Sequence, residues 1–389
     1  MTNLPNPAAI LSEAMGCLQR GDPQTAARTL EAGMQRFPQE PELPLNLSLA
    51  RRMLGDLAGA LQAVDQALAL DPYFFMALLS KGALLEAAGH PRLAARAYKD
   101  AITIAPPDDR LAPGARQALA RARSVVQANA EAMAAHLRTA TAAARARHPD
   151  ADMARMDEAL SIVSGLSKPY PQEALFLTVP RLPPIPFLDR SHFPWLAGLE
   201  NATDMIRDEL QAALSQSWAL FDPYIDRRPG EPVNQWAKLN HSRDWSTMHL
   251  WRDGVRNEPA CAQCPKTAAL LEELPLARQV GFGPTAMFSV LQPHTHIPPH
   301  TGSTNARLIC HLPLIVPPKC LYRVGFERRE WKLGEAFVFD DTIEHEAFNN
   351  SDEVRVVLIF DVWNPLLTPA ERDVVTALSL AVRDYNAAG

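Results

Sequence analysis

A period of 34 residues runs through the first hundred positions of this 389-residue chain. Glycine, proline, alanine and a mixed set of small residues each recur at that interval. The columns are Gly21, Gly55 and Gly89; Pro38, Pro72 and Pro106; Ala26, Ala60 and Ala94; and Ala14, Ser48 and Gly82. Separate columns with one shared period predict three copies of a single unit, stacked so that neighbours bury each other's apolar faces.

Each column has a physical role in a pair of packed helices. The glycine ends the first helix and permits a tight turn, the small residues let the two helices approach closely, and the proline ends the second helix. These residues resemble tetratricopeptide repeats over about residues 8–107. The resemblance implies an all-α solenoid over residues 1–107 whose concave face binds a protein or peptide. A role in dimerisation or stability alone is the alternative.

Composition and charge exclude several classes of partner. The net charge of −6 argues against binding to nucleic acid or to an anionic membrane surface. No apolar run reaches the roughly 18 residues that a membrane span requires, and residues 1–5 show no signal peptide. Five cysteines are an odd number, which argues against a disulfide framework. We therefore expect a cytoplasmic protein that binds neither nucleic acid nor membrane.

The middle of the chain links two different kinds of pattern. Residues 108–180 contain an Ala/Arg-rich helical stretch, expected to cap the solenoid, followed by a proline-rich connector. From residue 181 to 389 we expect a β domain in which an amphipathic helix at 199–214 precedes the strands and a C-terminal helix follows them. Short strand-like runs at 246–251, 285–291, 307–314, 320–324, 336–339 and 354–362 favour a β-sandwich or jelly roll.

Histidines are concentrated inside the predicted β domain. Of the eleven in the chain, four fall within eighteen residues: His294, His296, His300 and His311. Imidazole is the commonest neutral nitrogen ligand for iron, zinc, copper and nickel. The strands and turns between His300 and His345 can bring these two side chains together, so we expect them to bind a catalytic metal. His294 and His296, in a proline-rich turn, are expected to be loop residues or to support the site.

The usual third ligand of such a site is missing. In the facial triad of two histidines and a carboxylate, the acid stands two residues after the first histidine, and that position is Gly302 here. Asp340 and Asp341 lie close to His345 at the same strand end. We expect them to hold the turn beneath His345 through hydrogen bonds rather than to bind the metal.

Arg355 predicts an anion close to the metal. It starts a stretch, 354–362, in which Asp361 is the only other charged residue. A buried arginine needs an anionic partner, and its guanidinium pairs with a carboxylate through two hydrogen bonds. Together with His300 and His345, this arrangement is expected of non-haem Fe(II) oxygenases, in which 2-oxoglutarate chelates the iron and its far carboxylate meets the arginine.

Long strings around these residues resemble the aspartyl/asparaginyl β-hydroxylase family over about residues 186–369. They are His300-Thr301-Gly302-Ser303-Thr304-Asn305; Phe339-Asp340-Asp341 with Glu344-His345-Glu346; and Asp361-Val362-Trp363-Asn364-Pro365. The family has glycine at the carboxylate position and two histidine ligands. The glycine at 302 therefore supports the resemblance.

The resemblance implies a double-stranded β-helix, a jelly-roll or cupin-like fold, with Fe(II) bound by His300 and His345. It also implies that Arg355 binds 2-oxoglutarate, helped by three further residues: Ser289, His311 and Trp245.

One position departs from the family pattern. Ile309 stands where the family has a basic residue, and Arg307 matches a second basic position. Either Arg307 takes part in carboxylate binding, or the polar contacts of the cosubstrate are reduced to Ser289, His311 and Arg355.

The leading hypothesis is a dioxygenase that uses Fe(II), 2-oxoglutarate and O₂ to β-hydroxylate Asp or Asn in a protein or peptide bound by the repeats. The alternatives are a catalytically weak scaffold that senses metal or 2-oxoglutarate, and a hydrolase with zinc. Basic residues that could recognise an acidic substrate, or else be ordinary surface charges, are Arg252, Arg323, Arg328 and Arg329. Cys261 and Cys264 have the spacing of half a zinc site without a second pair, so an oxidisable dithiol and free surface or loop thiols are further interpretations.

Overall fold

The computed structural model describes residues 6–279 and 281–387, and the chain divides into two compact units, residues 1–168 and 169–389. The first unit is helical and the second is built on antiparallel sheets, so the predicted combination of helical repeats and a β domain is confirmed. The finer boundaries at 107/108 and 180/181 stay a prediction. The expectation drawn from residues 1–5 lies outside the described residues.

The first unit contains one helical hairpin for each predicted repeat. The helices of the hairpins are α1 (Pro7–Gln19), α2 (Pro23–Arg36), α3 (Glu42–Met53), α4 (Leu57–Leu70), α5 (Phe75–Ala87) and α6 (Pro91–Thr103). A long helix, α7 (Pro113–Arg145), packs on α6 and is followed by α8 (Ala154–Ser164). A short 3₁₀ turn, Asp108–Arg110, connects the last hairpin to α7.

The repeated glycines end the first helix of every hairpin. Gly21, Gly55 and Gly89 have φ angles of +78°, +79° and +77°, which residues with a Cβ adopt only with strain. In the first hairpin, the amide of Asp22, directly after Gly21, donates to the carbonyl of Cys17 at 2.9 Å. The Asp22 carboxylate then accepts from the amide of Thr25 at 3.0 Å and caps α2. The 34-residue period thus reflects local turn chemistry.

The column of small residues reflects close packing between helices. A Cβ on Gly82 would lie 2.3 Å from Cε1 of Tyr98 on the facing helix α6. Ala14 and Ser48, at the matching positions, are buried. Gly82 therefore lacks a side chain because the ring of Tyr98 occupies the space.

The second unit also contains helices beside its sheets. They are α9 (Leu196–Asn201), α10 (Thr203–Gln216), α11 (Glu258–Gln263), α12 (Pro265–Glu273) and α13 (Pro369–Ala387), with 3₁₀ turns at Arg190–His192, Trp218–Leu220 and Asn234–Trp236. The predicted helix at 199–214 is in fact two helices, because the chain turns at Ala202 between α9 and α10.

The strands of the second unit form two antiparallel sheets in the described residues. The strands are β1 (Asp222–Pro223), β2 (Trp245–Arg252), β3 (Val255–Arg256), β4 (Ala286–Leu291), β5 (Thr295–His300), β6 (Arg307–Ile315), β7 (Cys320–Val324), β8 (Glu327–Glu330), β9 (Phe337–Phe339), β10 (His345–Asn349) and β11 (Arg355–Trp363). The larger sheet has the order β1-β2-β4-β11-β6-β9, with β3 on β2, and the smaller has β5-β10-β7-β8. We interpret this interleaved order as a jelly roll.

The sequence missed the strands of the smaller sheet that carry the histidines. β5 contains Pro298 and Pro299, and β10 is short and half polar, so neither has the alternating apolar pattern on which strand prediction depends. Proline is tolerated in β5 because this strand lies at the edge of its sheet.

The central strand β11 is buried on both faces. Its even-numbered side chains, such as Leu358 and Phe360, pack in a core that includes residues of α9 to α12. Val357 and its neighbour Ile359 belong to a second core shared with the smaller sheet. Arg355 has the same parity and therefore lies on the inner face, between the sheets. No helix among the described residues combines the length and the apolar character needed to cross a bilayer.

Candidate active site

A cavity of about 310 Å³ opens between the inner faces of the two sheets. It gathers most of the residues that the sequence singled out. Those lining it are Ser289, His300, Gly302, His311, Asp341, His345, Arg355 and Trp245. Two predicted residues, Arg307 and Asp340, do not line it.

His300 and His345 are directly paired across two strands. His300 ends β5, His345 begins β10, and the two are register partners whose ring centroids lie 4.0 Å apart. Nδ1 of His300 is 2.8 Å from the carbonyl of Pro298, and Nδ1 of His345 is 3.0 Å from that of Ile343. A carbonyl can only accept, so each Nδ1 carries the proton and each Nε2 keeps its lone pair.

Both imidazoles are neutral at physiological pH. Burial lowers the pKa of His300 to about 4. Burial and the neighbouring His300 lower the pKa of His345 well below its ordinary value. Two neutral rings with free Nε2 lone pairs are the donor set that a divalent metal requires. No group of three or more His, Cys, Asp or Glu side chains in the described ranges is arranged to hold a metal ion.

Asp341 fills the space where a side chain at position 302 would stand. A Cβ on Gly302 would be 1.8 Å from Oδ2 of Asp341, and the Gly302 amide donates to the Asp341 carbonyl at 2.7 Å. Withdrawal from solvent, followed by repulsion from Asp340, raises the pKa of the Asp341 carboxyl to about 8. Asp341 thus presents a largely protonated carboxyl to the cavity near neutral pH.

Arg355 reaches the other end of the cavity, where no carboxylate of the described residues pairs with it. It is 1% exposed, its Nε has no hydrogen-bond partner in the part of the chain that the structure describes, and its Nη1 is 3.5 Å from the carbonyl of Ser289. Its guanidinium lies over the ring of Trp331 at 4.6 Å. Burial lowers the pKa of Arg355 to about 10, so the side chain remains a cation at neutral pH. An unpaired cation in this position is costly unless an anion joins it.

Polar groups beside Arg355 are also positioned by their neighbours. Nε1 of Trp245 donates to Oγ of Ser289 at 3.1 Å, and Nε1 of Trp331 donates to Nδ1 of His311 at 3.4 Å. Burial and the charge of Arg355 lower the pKa of His311 well below its ordinary value. His311 is therefore neutral, with its remaining proton on Nε2.

Arg307 is engaged elsewhere. Its Nη1 pairs with the Asp361 carboxylate and donates to the carbonyl of Phe282 at 2.6 Å. Asp361 also accepts from the amide of Thr285 at 2.6 Å. Of the two alternatives left by the departure at Ile309, this pairing favours the one in which Arg307 does not bind the cosubstrate. Ile309 itself lines the cavity.

Several cavity residues were not predicted because they come from loops without periodicity. Trp236 lies edge-on to His300 with ring centroids 5.1 Å apart, and Tyr224 packs on Trp245 at 4.1 Å. Arg227 and Leu175 also line the cavity. The aromatic and basic residues of the proline-containing segment 222–236 are a signal in the sequence that could have identified this side of the cavity.

The remaining candidates lie outside the cavity. His294 pairs with Asp352, and His296 pairs with Glu346, both at exposed positions. Arg323 is buried in ion pairs with Glu344 and Glu346, so it cannot meet a substrate as an exposed charge.

The two closely spaced cysteines are buried free thiols, rather than surface or loop thiols. The Sγ of Cys261 donates to the carbonyl of Leu250 at 3.4 Å. Burial raises the pKa of Cys264 to about 12. Both thiols therefore belong to the core beneath α11 and α12.

Known proteins resemble the second unit closely. A sequence model described as aspartyl/asparaginyl beta-hydroxylase matches residues 200–365. The chain is 36% identical over 202 residues to the ornithine lipid ester-linked acyl 2-hydroxylase of Rhizobium tropici, covering 51% of this chain and 67% of that protein. It is 39% identical over 181 residues to the human aspartyl/asparaginyl beta-hydroxylase, covering 46% of this chain and 22% of that protein.

The fold and these likenesses define a hydroxylase-type β domain joined to helical repeats. The chain belongs to the aspartyl/asparaginyl β-hydroxylase family, which confirms the resemblance seen in the sequence. It spans less than a quarter of the length of the human and mouse hydroxylases, at 22% and 24%.

Solved structures that match the repeats have lower sequence identity to this chain than the relatives of the second unit. One is the first tetratricopeptide domain of Spaghetti (RPAP3) bound to an HSP90 peptide, 21% identical, covering 31% of this chain and 94% of that one, with a TM-score of 0.27. Another is the Yersinia enterocolitica translocator chaperone SycD, 17% identical, covering 33% and 88%, with a TM-score of 0.29. Scores of this size say nothing about what the repeats bind.

Proposed function

We propose that this chain is an Fe(II)- and 2-oxoglutarate-dependent hydroxylase in which His300 and His345 bind the iron. One observation carries the proposal: a single cavity contains two neutral imidazoles and a buried cation. The ring centroids of the imidazoles lie 4.0 Å apart, and the cation, Arg355, has no carboxylate partner among the described residues. With both groups bound, iron and 2-oxoglutarate would supply the oxidant: one oxygen atom of O₂ enters a substrate C–H bond, and 2-oxoglutarate leaves as succinate and CO₂.

The donor set fits iron. Backbone carbonyls accept the Nδ1 protons of both rings, which fixes the tautomer and keeps both Nε2 atoms as ligands. Imidazole nitrogen suits iron, and two protein ligands leave several positions for small molecules. Asp341, which fills the space at Gly302, would hydrogen-bond a water where the carboxylate ligand of a facial triad would stand, rather than bind the metal itself.

The opposite end of the cavity fits a dicarboxylate. Arg355 supplies the charge for the far carboxylate of 2-oxoglutarate, and its unpartnered Nε is a donor without an acceptor in the described structure. The hydroxyl of Ser289, held by Trp245, and the Nε2 proton of His311 are the accompanying donors. The low pKa of His311 keeps it uncharged beside Arg355, so it adds a hydrogen bond and no repulsion.

The substrate is proposed to be a protein or peptide containing Asp or Asn that the repeats bind. Arg227 is a basic side chain at the edge of the cavity, suited to an acidic substrate. The repeat unit has a groove of about 200 Å³ lined by residues of α3 and α5. Those residues are Leu45, Asn46, Ser48, Leu49, Arg52, Met76, Ser80 and Leu84. This composition suits an extended segment with apolar side chains. The cytoplasm remains the proposed compartment.

A lipid acyl chain is the second candidate substrate. Met287, Ile309 and Ile359 line the cavity beside Ser289 and His311, which makes this part of the wall apolar. The relative from Rhizobium tropici is described as an acyl 2-hydroxylase. Hydroxylation of an acyl-lipid substrate, with none of a peptide library, would favour this candidate.

Succinate release tests the proposed chemistry. The full chain is incubated with Fe(II), ascorbate and 2-oxoglutarate, with and without a peptide library, beside a His345→Ala control. We expect succinate from the wild type alone. No succinate above the control, with 2-oxoglutarate still bound, would favour a sensing scaffold, and activity with zinc but not iron would favour a hydrolase.

A further inference from the structure

A segment outside the matched family region lies against both histidine-bearing loops. It comprises residues 172–179, named here the strap, and it precedes both the matched residues 200–365 and the predicted β domain at 181–389. No sequence pattern marked it, because it lies in the proline-rich connector. It belongs to the second unit, residues 169–389.

Main-chain hydrogen bonds fasten the strap to two loops. At its start, the amide of Glu173 donates to the carbonyl of Thr342 at 2.7 Å, in the loop before His345. Further along, the amides of Leu175 and Phe176 each donate at 2.9 Å to the carbonyls of Gly302 and Ser303, in the loop after His300. The strap is thus hydrogen-bonded both to the loop that follows His300 and to the loop that precedes His345.

The Gln172 side chain joins the same two loops directly. Its Nε2 donates to Oδ2 of Asp340 at 2.6 Å, and its Oε1 accepts from Nδ2 of Asn305 at 3.1 Å. Asn305 and Asp340 are almost wholly buried, at 0% and 1% exposure. Buried polar groups of this kind are costly when a partner is lost.

Each partner of Gln172 is tied to one histidine. Asn305 is five residues after His300, and Asp340 is five residues before His345. Gln172 also forms a β-bridge with Ile343, whose carbonyl faces Nδ1 of His345. One amide side chain therefore links the two loops across sequence separations of 133 and 168 residues.

We infer that Gln172 is a positioning residue that holds the loops of His300 and His345 at one separation, and that the strap belongs to the catalytic unit. The strap also forms part of the cavity wall through Leu175, which is 75% exposed. The effect on metal affinity rests on the proposed function, in which His300 and His345 bind a metal. The effect on the two loops can be measured without a metal.

A reversed hydrogen bond provides the test in the full chain. Gln172→Glu keeps the acceptor for Asn305 but sets a carboxylate against Asp340. Adding Asp340→Asn restores the bond with the donor on the other side, while the remaining oxygen still accepts from Thr342. Mn(II), which supports binding without turnover, is titrated into the wild type, each single variant and the double variant.

We expect Gln172→Glu to weaken Mn(II) binding about tenfold and the double variant to recover most of it, as for other residues that orient metal ligands. Amide hydrogen exchange of the metal-free proteins should be faster at 301–305 and 341–345 in the single variant and restored in the double. Gln279→Ala is the matched control, because Gln279 is buried and hydrogen-bonded to Ser379 on α13, away from both loops. It should lower stability without changing Mn(II) affinity.

Unchanged exchange in Gln172→Glu, an equal affinity loss in Gln279→Ala, or no recovery in the double variant would each overturn the inference. If the wild type binds no Mn(II), the proposed function fails, while the exchange data still decide whether Gln172 joins the loops.

Discussion

Gly302 and Asp341 share one space: a Cβ on Gly302 would lie 1.8 Å from Oδ2 and 2.1 Å from Cγ of Asp341. The carboxylate expected two residues after the first histidine is absent because another carboxyl, 39 residues further along the chain, already fills its volume. The site therefore keeps an acid near the proposed metal, but on the loop that precedes His345 rather than on the strand of His300.

Adding a side chain at position 302 should disrupt the site. We expect Gly302→Asp to weaken Mn(II) binding at least about tenfold, because the new side chain must displace Asp341. The exchange variant Gly302→Asp with Asp341→Gly removes that clash and should bind Mn(II) more tightly than the single variant. Titrations of both proteins check this. Wild-type affinity in Gly302→Asp alone would contradict it.

Replacing Arg355 and replacing Arg307 by an uncharged residue should affect the protein in different ways. Arg355→Met removes the unpaired cation, and we expect the KM for 2-oxoglutarate to rise about 10- to 100-fold with Mn(II) affinity unchanged. Arg307→Met leaves Asp361 buried without its partner, so it should lower stability with little effect on that KM. Succinate assays and urea unfolding separate the two effects. A large rise in KM for Arg307→Met would restore it as a cosubstrate ligand.

The proposal that the repeat groove binds the substrate can be tested with two methionines of similar exposure. Met76 lines the groove and is 42% exposed, whereas Met133 on α7 is 41% exposed and does not line it. Met76→Glu should reduce oxygen addition to a protein captured by the chain, measured by mass spectrometry, about tenfold without changing uncoupled succinate release. Met133→Glu should change neither. Normal modification by Met76→Glu would show that this groove is not the substrate receptor.

Arg227 and Arg228 form a second matched pair at the edge of the cavity. Both are exposed, but only Arg227 lines the cavity. Arg227→Ala should raise the KM for an acidic peptide about fivefold, as for a solvent-exposed ion pair, and the difference should shrink at high salt. Steady-state kinetics at two salt concentrations measure this. An equal effect of Arg228→Ala would mean that general surface charge, not Arg227, attracts the substrate.

Acid should destabilise the second unit through His249. Burial, followed by Arg252, lowers its pKa to about 4, against about 6.5 in the unfolded chain. Between these values the unfolded state binds more protons, so stability falls as pH falls through this window. From pH 7.5 to 5 the wild type should lose about 2 kcal/mol more than His249→Leu. Urea unfolding followed by tryptophan fluorescence reports this unit, since every tryptophan lies after residue 194. Equal losses in both proteins would contradict the assignment.

Local signals explain what could be predicted. The turns at Gly21, Gly55 and Gly89 depend on neighbours within a few residues, so their period predicted the hairpins correctly. The apolar strands of the larger sheet, such as β11, were also predicted from a local signal. Burial on both faces requires a continuous apolar run in the sequence. β5 was missed because its edge position tolerates two prolines, and β10 was missed because it is short and half polar.

The sequence by itself determined the helical repeats, the β domain, the family and the candidate metal pair, because short motifs and periodic burial encode them. Only the tertiary structure decided that Asp341 fills the place of the missing carboxylate, that Arg307 pairs with Asp361, and that Gln172 joins the two histidine loops. Each of these contacts links positions 39 to 168 residues apart. At such separations no local periodicity remains, and the partner is chosen by packing and by the need to satisfy buried charge and hydrogen bonds.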